Sequence, residues 1–261
     1  MFDFHMHSNV SFDGHADAAA MVAAAEKAGL REICFTDHID YDPLATEQTM
    51  IFDPARYRNT YRDLHSASVK VRRGVELGLL PDNREQLKPH VEDYPYDFII
   101  GSVHFAEDVD IYYDTFWQGK TQHQAERRYL EEILACVRHH DDFHVLGHLT
   151  YISKAWANPA KRPVAYADHR EVIDEILRTL VAKGKGMEIN TSGMDKSGDY
   201  LPPEQCLRRF KELGGQIVTV GSDAHDDQRV GQYCREAALL VQEIFGHVCT
   251  FAEGKPIFHR L

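Results

Sequence analysis

Phe2-Asp3-Phe4-His5-Met6-His7 decides the fold: a short apolar run that ends in two histidines two residues apart. Side chains alternate across a strand, so His5 and His7 share one face. The same arrangement recurs along the chain. Further short β-like runs lie at 32–36, 73–77, 98–103, 144–149, 186–190 and 216–220, which with 2–5 makes seven candidate strands. Asp37 and His38 close the second run and Glu76 sits in the third. His104 follows the fourth, and His148 lies near the end of the fifth. The sixth ends in Asn190-Thr191-Ser192, and Asp223 and His225 follow the seventh. Helical patterns separate the runs at 17–28, 54–71, 122–139, 168–181, 203–213 and 230–245. Asp168 with Glu171 reads as a capping box. Strands that alternate with helices form parallel βαβ units, and seven in this length favour a closed barrel over an open sheet. In a parallel barrel all strand C-termini meet on one face, so residues more than 200 positions apart are expected to converge there.

The residue types gathered by this reading agree in chemistry. Imidazole nitrogens and carboxylate oxygens ligate Zn, Fe and Mn, and no cysteine belongs to the set. One histidine at a strand end is usually a hydrogen-bonded surface residue. Nine such groups on one rim form a metal-site pattern: His5, His7, Asp13, His38, Glu76, His104, His148, Asp223 and His225. Asp223-Ala224-His225 presents both donors on one face if it is extended. Asp13 and His15 compete for one place in the loop Ser11-Phe12-Asp13-Gly14-His15, and Asp13 is preferred. Asp37 is expected either to orient the neighbouring His38 or to cap the next loop. His139, His140, His144 and His169 read as solvated, and His65, His90, His123, His247 and His259 show no partner pattern.

Composition bounds the function. The chain has 261 residues, 41 Asp+Glu against 29 Lys+Arg, a formal charge of −12 and 16 His. The histidine excess is the signal that needs a cause. With 43% hydrophobic residues the chain is not disordered. No run approaches 18 apolar residues, which excludes a membrane span, and Met1-Phe2-Asp3-Phe4-His5 has no signal-peptide pattern. The five cysteines are scattered and unpaired in sequence, as expected of reduced thiols in a cytoplasmic protein. The acidic balance argues against duplex nucleic acid as a partner. No repeat or long linker divides the chain, so residues 1–261 are expected to form one domain. Polar loops at 41–53, 107–121 and 154–165 follow strands 2, 4 and 5, where a βα barrel places substrate contacts.

His5-Met6-His7-Ser8, Thr36-Asp37-His38, Gly74-Val75-Glu76, Gly101-Ser102-Val103-His104, Gly147-His148 and Gly221-Ser222-Asp223-Ala224-His225 resemble, in order, the motifs of the PHP (polymerase and histidinol phosphatase) superfamily. Cys34-Phe35-Thr36-Asp37-His38, residues 147–152 and Glu188-Ile189-Asn190-Thr191-Ser192-Gly193 are similar to its histidinol-phosphate phosphatase branch. The resemblance implies a distorted (β/α)7 TIM-like barrel with two or three divalent ions, Zn, Fe or Mn. It assigns His5, His7, Glu76 and Asp223 to a first metal. It assigns Asp13 (or His15), His38 and His148 to a second, and a bridging Glu76 with His104 and His225 to a third. The activity implied is hydrolysis of a phosphate monoester, with L-histidinol phosphate, an intermediate of histidine biosynthesis, as substrate.

One departure from the branch concerns phosphate binding. The branch often carries a basic residue after Asn190-Thr191-Ser192-Gly193, whereas this chain reads Met194-Asp195-Lys196, and Asp195 would repel phosphate. Arg162 is then the preferred phosphate contact, with Ser192 and Lys196 as further candidates, in a region made basic by Lys154 and Lys161. Asp37 and Asp40 are the candidate catalytic carboxylates, and Asp40 or His15 would protonate the leaving alcohol. The competing readings are a phosphoesterase for another small metabolite, nucleotide or phosphodiester, an amidohydrolase-like metal hydrolase, and a non-catalytic metal store. The expected partner is a small phosphorylated molecule, with no membrane; the oligomeric state is open.

Overall fold

Seven parallel strand positions curl around a single interior in a computed structural model that describes residues 1–92 and 94–261. In chain order the strands are β1 (Phe2–Met6), β2 (Glu32–Phe35), β3 (His38–Ile39), β4 (Lys70–Gly78), β5 (Phe98–Ser102), β6 (Phe105–Ala106), β7 (Val109–Asp110), β8 (Val145–Leu146), β9 (Gly186–Asn190), β10 (Val218–Gly221), β11 (Val248–Ala252) and β12 (Lys255–His259). The helices are α1 (Ala18–Lys27), α2 (Pro54–Tyr61), α3 (Arg84–Glu92), α4 (Asp114–Trp117), α5 (Gln122–His139), α6 (Arg170–Ala182), α7 (Glu204–Glu212) and α8 (Cys234–Phe245).

The sheet runs β1-β2-β4-β5-β8-β9-β10, and β3 continues the β2 position against β4 with His38 beside Glu76. It closes on itself after β10. His7 N–H donates to Ala224 O and Asp223 N–H to His5 O, both at 2.8 Å. This is the expected seven-stranded, TIM-like barrel, distorted where β1 carries one extra residue between Asp3 and Met6 relative to β2. Gly221 permits the closure, because a Cβ there would overlap the His5 side chain and the Glu188 carboxylate.

Local chemistry explains where elements start. Asp17 caps α1 by accepting from Ala20 N–H at 2.8 Å, and Thr121 with Gln124 forms a capping box on α5. α5 lays Tyr129, Leu130, Ile133, Cys136 and Val137 against the barrel. Phe2, Phe4, Phe35, Phe98 and Phe143 are fully buried. Each such side chain contributes roughly 1.5–3 kcal/mol relative to exposure. All five cysteines are free and buried.

Several boundaries differ from expectation. The 54–71 helix stops at Tyr61, and Lys70 onward is strand. The Ser66 hydroxyl accepts from the N–H groups of Ser68 and Val69, a local turn that competes with helix. The second run breaks at Thr36-Asp37. The Asp168–Glu171 capping box does not form: a 3₁₀ turn spans Tyr166–His169, and α6 begins at Arg170. α8 begins only at Cys234, after Tyr233 in a left-handed conformation. α3 and the β11–β12 hairpin were not expected.

Candidate metal centre

The strand ends converge as the spacing requires. His5 and His7 both point inward from β1, with their Nε2 atoms 3.1 Å apart. Glu76 enters from β4, and its Oε2 lies 3.0 Å from His5 Nε2 and 3.5 Å from His7 Nε2. Asp223 Oδ1 stands 3.6 and 3.5 Å from the same two nitrogens. On the other side of Glu76, Oε1 lies 2.9 Å from His148 Nε2 and 3.5 Å from His104 Nε2, and those rings' Nε2 atoms are 3.4 Å apart. Beyond His7, Asp13 Oδ2 is 2.9 Å from His225 Nε2 and 3.6 Å from His38 Nε2. Three nitrogen–oxygen donor groups result, the first two sharing Glu76: His5/His7/Glu76/Asp223, Glu76/His104/His148 and Asp13/His38/His225.

All nine expected donors therefore meet, grouped by distance differently from the partition the resemblance implies. His148 belongs with Glu76 and His104, and His225 with Asp13 and His38. β8 lies beside β5 in the barrel, so His148 enters next to His104, whereas the loop after β10 swings over β1 toward Asp13. His15 is exposed; its backbone N–H donates to His225 O at 2.8 Å, which ties the loop down and leaves Asp13 as its inward donor. Residues 223–225 are not extended. Asp223 takes φ 56°, a left-handed conformation that Asp tolerates better than most residues, and both side chains still reach the cluster.

Electrostatics shows what the cluster demands. Burial opposes charge on His5, yet Glu188, Glu76 and Asp223 hold its pKa well above the usual value. His38 is pushed up to about 9, against burial, by Glu76, Asp13 and Asp40, and His104 is raised by Asp40 and Glu76. Burial, with His225 and His38 alongside, lowers His7 to about 3. Burial opposes ionisation of Glu76 and Asp223, but their histidine neighbours, with Lys154 for Asp223, hold both carboxyls well below normal. Asp13 moves the same way under His38 and His225, also against burial. Facing imidazole nitrogens at 3.1 and 3.4 Å cannot both carry protons. Among the described residues the buried Asp13 Oδ1 finds no hydrogen-bond partner. Hard oxygen and borderline nitrogen donors, with no thiolate, fit divalent transition metals.

Glu188 was not singled out in the sequence, although it lies inside a recognised strand. Its carboxylate takes His5 Nδ1 at 2.7 Å and His148 N–H at 2.9 Å, so it orients a donor from behind. Its signal was positional: with Gly186 and Asn190 it occupies the inward face of β9. Asp40 plays a similar part, 2.9 Å from His38 Nδ1 and 3.0 Å from His104 Nδ1. Despite burial, those histidines hold its pKa down at about 2 in the metal-free chain. Gly78 makes room for that carboxylate.

Two expected catalytic residues lie elsewhere. Asp37 turns away from His38. It accepts from Tyr61 Oη at 2.5 Å and Ser8 N–H at 2.9 Å, joining the end of β1 to α2, and burial raises its pKa to about 6. Arg162 does not line the cavity above the donors; its guanidinium lies 3.6 Å from the buried Glu126, on α5. The basic residue that reaches the donors is Lys154, which bonds Asp223 and, at 2.9 Å, Ser192 Oγ. Lys196 and Ser192 line the outer cavity. Asp195 is not an unscreened repulsive charge, because it accepts from Arg229 at 2.8 Å and Tyr233 at 2.9 Å. His140 and His169, expected to be solvated, are buried, against Leu80 O and Glu126 respectively.

A parallel barrel with such a donor set at its strand C-termini defines a metal-dependent hydrolase. The chain belongs to the PHP domain family, whose model matches residues 3–192. It is 30% identical to a histidinol-phosphatase of Lactococcus lactis, over 97% of this chain and 95% of that protein. It is 31% identical to a probable histidinol-phosphatase of Clostridium acetobutylicum, over 99% and 96%. The crystal structure of the Lactococcus lactis histidinol phosphate phosphatase, complexed with zinc, L-histidinol and phosphate, superimposes with a TM-score of 0.81 at 28% identity, covering 98% of both chains.

Proposed function

We propose that this centre hydrolyses a phosphate monoester, L-histidinol phosphate, to L-histidinol and phosphate. The observation that carries the reading is the cluster of histidine and carboxylate groups placed to hold metal ions, part of which floors one cavity, in a chain aligned nearly end to end with histidinol-phosphatases. His5, His7, Glu76 and Asp223 would hold one divalent ion, Glu76, His104 and His148 a second, and Asp13, His38 and His225 a third. Bound there, such ions neutralise phosphoryl oxygens and supply a water deprotonated near neutral pH. Glu188 and Asp40 fix the imidazoles in position. The Lys154 ammonium, 4.8 Å from the Tyr151 ring centroid, adds positive charge beside Asp223 where a phosphoryl group enters.

The whole chain works as one unit on this reading, since Asp223 and His225 lie beyond the family match and close the same barrel. Among the described residues no helix is long and apolar enough to cross a membrane. The test is phosphate release by metal-replete protein from L-histidinol phosphate, generic monoesters and diesters. Turnover of L-histidinol phosphate that vanishes on chelation and returns with metal is expected. Undiminished turnover by metal-free protein, or a preference for diesters, overturns the proposal.

A further inference from the structure

The cavity has two parts. An inner pocket of about 100 Å³ is floored by Asp13, His38, His104, His148, Asp223 and His225. It opens into a chamber of about 660 Å³ walled by Phe12, Tyr112, Tyr113, Lys196 and Arg229 among others. Among the residues that line both parts, Asp110, at the end of β7, is the carboxylate that stands outside the donor cluster, between the inner floor and the outer chamber. Its Oδ1 accepts from Tyr112 N–H at 2.8 Å, which fixes the carboxylate. Of the cations that line the same chamber, Lys154 is engaged with Asp223 and Arg229 with Asp195, and Lys196 forms no ion pair with Asp110. Among the described residues no basic side chain forms an ion pair with Asp110. Burial raises its pKa, opposed by the Tyr112 N–H and by His104. A partly buried carboxylate with no countercharge is costly unless a ligand supplies one.

We propose that Asp110 is a specificity residue that receives the ammonium group of the substrate, so that the site selects phosphate monoesters of 2-amino alcohols. This rests on the phosphatase reading above and names the feature of the leaving group that the chain reads. The chemistry fixes the place. In a 2-amino alcohol phosphate the nitrogen is two carbons from the ester oxygen, so a phosphoryl group on the inner floor keeps the ammonium at the boundary where Asp110 stands. The substituent beyond the amine then lies in the outer chamber. Two of its wall residues are exposed aromatics, Phe12 at 54% and Tyr113 at 58%, suited to a planar ring. Asp42, also in that chamber, adds negative charge on the same side of the balance.

The test compares L-histidinol phosphate with its des-amino analogue, 3-(imidazol-4-yl)propyl phosphate, on metal-replete wild type and on Asp110→Asn, with metal content and thermal midpoint recorded. Wild type is expected to prefer the amino substrate. Asp110→Asn is expected to reduce kcat/KM for it roughly tenfold or more beyond any loss on the analogue, mainly through KM, as for a lost charge-assisted bond. Equal losses on both substrates would make Asp110 a proton donor or a structural residue and overturn the proposal. So would a wild type that hydrolyses both equally well, a result independent of how the variant folds, which leaves the phosphatase reading standing. Hydrolysis of neither substrate would overturn that reading itself, and this proposal with it.

Discussion

Glu188 shows at the scale of one residue what holds the donors in place. Its carboxylate is buried behind His5 and makes three bonds, to the His5 ring, the His148 backbone and Asn190 Nδ2 at 3.2 Å. Glu188→Gln keeps the volume but removes the charge that fixes the His5 tautomer. Metal affinity is expected to fall about 10–100-fold, with a smaller effect on folding. Equilibrium dialysis against a competing chelator checks it, and unchanged affinity would mean His5 is held by packing alone. At this scale the nine donors were legible because a metal site needs His, Asp and Glu at strand ends, and strand ends are readable. The residues behind them were not. Asp37 and Asp40 stand three positions apart, yet one faces α2 and the other the cavity, and only the break between β2 and β3 decides which. Lys154 and Arg162 share a basic loop, and the fold of that loop, not its composition, brings only the first to Asp223.

Secondary-structure elements were legible where hydrophobic period and caps agreed, as for α5 and β9, and misread where a local side-chain bond intervened, as at Ser66. The β11–β12 hairpin escaped because its residues lie after the last barrel strand, where no βαβ unit was expected. It covers the N-terminal end of the barrel: Phe251 packs 4.9 Å from Phe98 and 5.0 Å from His144, ring centroid to centroid, and Phe2 lies 4.5 Å from His259. Ending the chain after Gly246 would uncover Phe2 and Phe98, so the thermal midpoint should fall markedly while the donor geometry at the opposite end is spared. Denaturation monitored with metal bound is the measurement, and an unchanged midpoint would show that the hairpin is dispensable. Gly221→Ala is expected to act at the other end of β10. Its new methyl meets His5 and Glu188, so metal is lost before the fold is.

For the whole molecule the decisive balance is between buried carboxylates and what neutralises them. In the metal-free chain protons do that work, chiefly on His5, His38 and His104. The sign follows from linkage. His38 titrates near 9 when folded and near 6.5 when unfolded, so its contribution to stability is complete below about pH 6.5 and is lost as pH rises through 9. His5 and His104 shift in the same direction. Divalent ions replace those protons, and their binding strengthens as the imidazoles deprotonate. Two opposite trends follow between pH 6.5 and 9: metal-free protein loses stability as pH rises, and the stabilisation conferred by metal grows. The gap in thermal midpoint between metal-loaded and chelated protein should therefore widen across that range, with protons released on metal binding and detectable as a buffer-dependent heat. A gap that stays constant or narrows with pH would mean that the cluster is not neutralised by histidine protonation when metal is absent. The formal charge of −12 makes the same point at long range, since two or three divalent ions offset about a third to a half of it, all at the face where an anionic substrate must enter.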